Sequence, residues 1–217
     1  EAPPAIISVF IGDELSDVIE QIETGIAKDN GCCRELGTGV STLPVLRKDV
    51  TDRNRTSPFA FTGNKFEFRS VGASQSIATP NFILNTIVAE ALCEIADRLE
   101  KATDFRAEAN ELIKELVRKH KRVIFNGNNY SEEWVREAER RGLKNLRTAV
   151  DAIQTLIDEK NIRLFEKHGV LNSAEIHSRY EIQLENYVKT IRIEGLTMVE
   201  MAERQILPAS IRYMKDV

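Results

Sequence analysis

From Pro80 to the end of the chain, apolar residues return every three or four positions, and that period dictates helices. Leu84, Val88, Leu92, Ile95 and Leu99 mark one face of a helix opening just after Pro80, because side chains three and four apart share a helical face. Phe82, Ile83 and Ile87 widen that face, which predicts burial on more than one side. A second helix is predicted from Asp104 to Lys121, with Leu112, Ile113, Leu116 and Val117 inward. Asn126-Gly127-Asn128-Asn129 reads as a turn, and Ser131 as the cap of a helix that stops at Gly142. Thr148 to His168 reads as helix with a break, closed by Gly169. Asn172 and Glu175 have the spacing of a capping box. They open a final helix bearing Ile176, Tyr180, Leu184, Tyr187, Val188 and Ile191, which reaches toward Gln205 before Pro208 ends or kinks it.

The first 79 residues have a different texture. Ala5-Ile6-Ile7-Ser8-Val9-Phe10 is β-branched and apolar, the pattern of a buried strand. Asp13 is placed to cap a helix with Leu15, Val18, Ile19 and Ile22 along one side, and Gly25 to end it. Residues 27–52, with Gly31, Gly37, Gly39 and Pro44, show no period and read as a long loop or partly ordered insertion. After a turn at Thr62-Gly63-Asn64, Lys65-Phe66-Glu67-Phe68-Arg69 alternates strictly. Successive strand side chains leave opposite faces, so the two phenylalanines face a core and a cation, an anion and a cation line the other side. The chain divides on this evidence at residues 1–79 and 80–217. The fold expected is α+β and predominantly α.

Composition narrows the function. Of 217 residues, 42% are hydrophobic and 29% charged, with a net charge of −4. That balance argues against a nucleic-acid surface or an anionic membrane, and no apolar run approaches the roughly 20 residues of a membrane span. Cys32, Cys33 and Cys93 are odd in number with two adjacent, a poor disulfide framework that reads as reduced thiols of a cytoplasmic protein. Glu1-Ala2-Pro3-Pro4 lacks the basic and apolar regions of a signal peptide and reads as an internal segment of a longer protein.

Three groups carry candidate chemistry, each with a plain alternative. Glu67 between Lys65 and Arg69 is either a solvated strand face with ion pairs or a carboxylate ligand for Mg²⁺ or Mn²⁺, which take oxygen donors, beside cations for a carboxylate or phosphate. Arg53 and Arg55 are either loop arginines in water or guanidinium forks for phosphate. Glu1 at its rigid turn is either a frayed end or an acid over a site. His120, His168 and His177 share no metal-binding spacing; the first two sit near helix C-termini, where a cation is favoured. Trp134, Tyr180 and Tyr187 read as packing residues.

Taken in order, these pieces resemble one family. Glu1-Ala2-Pro3, Asn54-Arg55-Thr56-Ser57, Phe66-Glu67-Phe68-Arg69 and Pro80-Asn81 are similar to the end of the glutamine synthetase catalytic domain. Glu-Ala-Pro-Pro-Ala-Ile-Ile-Ser at 1–8 and Phe-Thr-Gly-Asn-Lys-Phe-Glu-Phe-Arg-Ser-Val-Gly at 61–72 resemble the type III members. So do Ile124-Phe125-Asn126-Gly127, Tyr130-Ser131-Glu132-Glu133-Trp134, His177-Ser178-Arg179-Tyr180-Glu181 and Gln205-Ile206-Leu207-Pro208-Ala209 in the helical tail.

The resemblance implies the last strands of a glutamine-synthetase-type catalytic β-sheet followed by a helical C-terminal domain. It implies an ATP-dependent glutamate–ammonia ligase working through an acyl phosphate, with Mg²⁺ or Mn²⁺, in a ring-based homo-oligomer, a dodecamer. Glu67 would be a metal ligand and Arg69 would hold the glutamate carboxylate. Arg55 would stabilise the transferring phosphoryl group, with Arg53 nearby; Lys65 would lie near the nucleotide, and Glu1 on a flap that helps deprotonate ammonium. Two departures stand out. Where the family carries a further arginine after its Asn-Arg motif, this chain reads Pro58-Phe59-Ala60-Phe61, and the stretch from Ile6 to Asp52 is longer than usual. The family's other metal-binding residues precede the flap and have no counterpart here, so this chain alone is expected to be inactive. The alternative is a non-catalytic helical module for oligomer contact.

Overall fold

The computed structural model describes residues 6–26, 35–36, 46–47, 57–69 and 75–217. It is a mostly helical α+β chain with a small three-stranded sheet, as the sequence predicts. Cys32, Cys33 and most of the 27–52 stretch lie outside the described residues. The described part of that stretch is a short antiparallel ladder, β2 (Glu35–Leu36) with β3 (Leu46–Arg47). Compactness divides the chain into residues 1–145 and 146–217. The change of texture at Pro80 marks the passage from β5 (Phe66–Phe68) to a helix that begins at Ala78.

The first unit is built on a sheet of order β1 (Val9–Phe10), β4 (Phe59–Phe61), β5 (Phe66–Phe68). β1 runs parallel to β4, and β4 antiparallel to β5. Residues 6–8, before Val9, are not strand. Ser8 is buried instead, its hydroxyl donating to Asn129 Oδ1, and Ser57 Oγ donates to the Ser8 carbonyl at 3.4 Å.

Helix α1 (Gly12–Thr24) begins one residue before the predicted cap. Asp13 lies inside the first turn. The cap comes from far along the chain: Asn126 Oδ1 accepts from the N–H groups of Ile11 and Gly12, both at 3.1 Å. Asn126 Nδ2 donates to Ser16 Oγ, which donates to the Gly12 carbonyl. A side-chain oxygen that satisfies two orphan amides does what a local cap does, so local sequence had no way to name the capping residue. Gly25 ends the helix as predicted.

Helices α2 (Ala78–Leu99) and α3 (Phe105–His120) follow. Asp104 caps α3, accepting from Arg106 and Ala107. Arg98 on α2 pairs with both Glu108 and Glu115 on α3. The predicted double burial of α2 is not observed: Ile87, Val88 and Leu92 are 49–59% exposed, and Thr86 is its buried residue. The apolar period is real, but one edge of it is packed. Ile113 of α3 is likewise exposed.

Trp134 organises this unit. Ser131 caps α4 (Glu132–Arg140) through the Trp134 amide, and the indole is fully buried. Phe125 stacks on it at 4.5 Å between ring centres, and the Arg141 guanidinium lies 5.6 Å from its centre on the ring face. Its Nε1–H donates to the Ile6 carbonyl at 2.9 Å. The neighbouring Phe125 amide donates to the Val9 carbonyl at 3.1 Å, so the indole and its partner hold β1 from one side. A Cβ on Gly127 would come 2.5 Å from the Phe125 ring, which is why that turn takes glycine.

The second unit comprises α5 (Ala149–Gln154), α6 (Glu159–Lys167), α7 (Ser173–Met201) and α8 (Leu207–Asp216). The predicted break between Thr148 and His168 is a tight turn at Thr155–Ile157, pinned by Asn161 Nδ2 donating to the Thr155 carbonyl at 2.6 Å. The predicted capping box of Asn172 and Glu175 is present in both directions. Phe165 and Ile176 are buried. Beyond Leu184 the apolar residues of this helix are exposed, Val188 at 61% and Ile191 at 50%, and Tyr187, expected to pack, is exposed as well. Pro208 does not stop the helix. Residues 202–206 widen into a π turn before it, which gives room to a ring that has no N–H and would otherwise press on the carbonyl four residues back.

Trp134→Ala is expected to cost about 3–5 kcal/mol, read as a lowered midpoint in denaturant unfolding. Arg140 and Arg141 hold the Glu137 carboxyl down to about 2 from an ordinary 4.5. A lowered folded value stabilises above the ordinary value and is lost as pH falls toward the folded one. Stability should therefore decline between pH 4.5 and about 2, and Glu137→Gln should flatten that part of the unfolding-versus-pH curve.

Candidate functional site

The site residues within the described chain sit on the β4–β5 hairpin. Gly63 and Asn64 form its two-residue turn, with Gly63 at φ 97°, a conformation that favours glycine. The Thr62 amide donates to the Lys65 carbonyl at 2.9 Å. Phe66 faces Phe61 and Phe68 faces Phe59 across the ladder, and Glu67 faces Ala60. Cross-strand partners share a face, so the aromatic rings gather on one side. Phe59 stacks on Phe66 at 5.7 Å, and Phe61 meets Phe66 at 5.2 Å.

The other face carries the charges, as the alternation predicts. Arg69 donates to Glu67 Oε2 through Nη2 at 3.2 Å and Nε at 3.3 Å. Lys65 Nζ lies 3.4 Å from Glu67 Oε1. Arg69, followed by Lys65, holds the Glu67 carboxyl below its ordinary range. The carboxylate therefore stays anionic while its two oxygens face different cations. The Arg69 amide donates to the Pro58 carbonyl at 2.7 Å, which extends the ladder and fixes the arginine relative to β4. The Arg69 side chain is 18% exposed and that of Lys65 is 65% exposed. One cation is built into the wall and the other stands out toward solvent.

The missing arginine after the Asn-Arg motif has a structural reason. Pro58-Phe59-Ala60-Phe61 enters and forms the central strand. Ala60 is fully buried, and Phe59 and Phe61 belong to the aromatic cluster. A long charged side chain would not fit the fully buried position of Ala60, and in place of Phe59 or Phe61 it would sit among aromatic rings. Of the other site residues, Glu1, Arg53 and Arg55 lie outside the described residues. Lys65, Glu67 and Arg69 are brought together.

Sequence reasoning missed the asparagines of the 126–129 turn. They read as turn formers, yet Asn126 caps α1 and Asn129 accepts from Ser8. The doubled Asn beside a glycine was the available signal. Among the described residues no cluster of three or more His, Cys, Asp or Glu could hold a metal. No helix there is long and apolar enough to cross a membrane.

A mostly helical α+β chain with a paired carboxylate on a short strand is thus the class that fold and site define. Residues 108–217 match the family described as glutamine synthetase C-terminal domain. The whole chain is 43% identical to a type-3 glutamine synthetase of Dictyostelium discoideum, of which it covers 30%. It is 43% identical to a glutamine synthetase of Butyrivibrio fibrisolvens, covering 31% of that protein. A third relative, a glutamine synthetase of Bacteroides fragilis, is 34% identical over 98% of this chain and 30% of its own length. The chain belongs to the glutamine synthetase family, among its type III members. It spans about a third of the length of the relatives it matches.

Proposed function

We propose that this chain is part of an ATP-dependent glutamate–ammonia ligase that makes glutamine through an acyl phosphate. The observation that carries the reading is Glu67, an ionised carboxylate between Arg69 and Lys65 on a strand of a glutamine synthetase family member. In the reaction proposed, the glutamate side chain attacks the γ-phosphate of ATP and ammonia then displaces phosphate. A carboxylate oxygen is a poor leaving group, so phosphorylation precedes amidation. Charge on the transferred group needs cations held in place beforehand.

The residues divide that work by exposure. Arg69, fixed in the wall, grips the glutamate carboxylate while keeping Glu67 anionic. Lys65 has the longer contact with Glu67 and the more exposed side chain; it lets go and turns to nucleotide phosphate. Arg55 and Arg53 meet the phosphoryl group, and Glu1 serves on a flap that excludes water and takes a proton from ammonium.

Glu67 fits Mg²⁺ or Mn²⁺ as an oxygen donor, being an acceptor-only carboxylate kept ionised. When bound, such an ion neutralises phosphate charge. One carboxylate does not make a centre of two or more ions, and no acidic cluster accompanies it among the described residues. On this reading the other ligands come from the longer protein, and the 217-residue chain alone makes no glutamine.

In the full-length enzyme, Glu67→Ala should lower kcat on the order of a hundred-fold. Arg69→Ala should act mainly on the KM for glutamate, raising it by about ten- to a hundred-fold, the worth of a charge-assisted bond. Steady-state kinetics close to wild type in either variant would overturn the assignment, as would ATP-dependent glutamine formation by this chain alone.

The helical tail supports a second role, contact between copies in a homo-oligomer. Tyr180, Leu184, Val188 and Ile191 follow a three–four spacing along α7, and Met198 returns to that face seven residues on; Val188, Ile191, Met198 and Val199 are 50–67% exposed. So long an apolar stripe calls for a cover. Ile191→Glu with Val199→Glu in the full-length protein should give a smaller assembly by light scattering; an unchanged mass argues against this role.

A further inference from the structure

Away from the hairpin, α3 ends in Arg118-Lys119-His120, and Lys121-Arg122 follow in a tight turn. Four of these five, all but His120, line a cleft with Arg141, beside α1. The cleft measures about 540 Å³, within the range of small-molecule sites. Its apolar surface comes from Ile11, Ile19 and Ile124, of which Ile11 is 6% exposed. Its acids are Glu20 and Glu23, so five cations face two carboxylates.

A basic helix end has a simple explanation, since cations complement the negative C-terminal pole. That pole amounts to about half a charge, too little to account for four cations and an arginine from another helix end. The partners also differ. Lys121 pairs with Glu23 at 2.7 Å and Arg118 donates to the Glu23 carbonyl at 3.2 Å. Arg141 is held by Glu137 at 2.5 Å and donates to the carbonyls of Arg122 and Ile124. Those three are fixed. Among the described residues, Lys119 and Arg122 line the same cleft with no ion pair or side-chain hydrogen bond. Guanidinium and ammonium groups left unpaired above an apolar floor match a ligand that is anionic at one end and flat or apolar at the other.

We propose that this cleft binds a phosphate-bearing small molecule of nucleotide size, its phosphate on Lys119 and Arg122 and its body on the isoleucines. The ligand would bridge α1 to the end of α3, the two elements joined there by Glu23. The proposal is independent of the ligase reading, because none of these residues belongs to the hairpin site.

The test uses the full-length protein and a photoreactive azido analogue of adenosine monophosphate, with labelled peptides identified by mass spectrometry. Label should appear in peptides covering 11–23 or 118–124, and excess inorganic phosphate should compete it away. Lys119→Glu with Arg122→Glu should reduce that label at least about ten-fold, and the milder Lys119→Gln with Arg122→Gln should reduce it in the same direction. Charge reversal at exposed Arg212 and Lys215 should leave it unchanged. Absence of label in these peptides overturns the proposal. So does label that survives both double substitutions, or that adenosine competes and phosphate does not. Label at any separate ATP site is read in other peptides, so failure here and failure of the ligase reading are distinct results.

Discussion

The first unit leans on one indole. Trp134 is fully buried with Phe125 on one ring face and Arg141 over the ring, and its single N–H is spent on the Ile6 carbonyl. Each contact answers a different demand. The stack gives apolar burial, the guanidinium adds attraction to the ring, and the N–H satisfies a backbone oxygen that the short β1 leaves without a strand partner. The same segment supplies the Phe125 amide to Val9 and the Asn126 cap to α1. A turn between two helices thereby fixes the strand and helix at the start of the chain. β1 supports β4 and β4 supports β5, so the Glu67 carboxylate is positioned through three steps of pairing from that ring.

The charges on β5 need this rigidity. Arg69 is tied to Pro58 through its backbone and to Glu67 through its side chain, while Lys65 sits at the mouth of the turn. An exposed ion pair contributes little to stability. Its worth here is in geometry: a carboxylate with cations on both sides keeps its charge and its direction before any ligand arrives. Ala60, fully buried, lies across the ladder from Glu67, so a small residue stands between the two phenylalanines of the central strand.

Much of this was legible in the residues. Periodicity located every long helix, and the caps at Ser131 and Asn172 were local signals that the structure reproduces. Alternation placed Lys65, Glu67 and Arg69 on one face. The cap of α1 was not legible, because it lies more than a hundred residues away in Asn126. The degree of burial of α2 and α7 was not legible either. Periodicity reports which face is apolar and says nothing about what covers it, so Val88 and Ile191 look the same in sequence as Ile176, which is fully buried. The basic run at 118–122 gave no hint of a cleft, since the isoleucines beneath it come from separate elements.

The widened turn at residues 202–206 has a geometric consequence for α8. A helix advances about 100° per residue, so one extra residue in the turn rotates everything downstream by that angle. Side chains beyond Pro208 no longer continue the meridian traced by Leu184 and Ile191. Ile211 and Met214, both exposed, therefore point along a new azimuth. Any body seated against both helices must follow that corkscrew, and a straight rod could grip one half only.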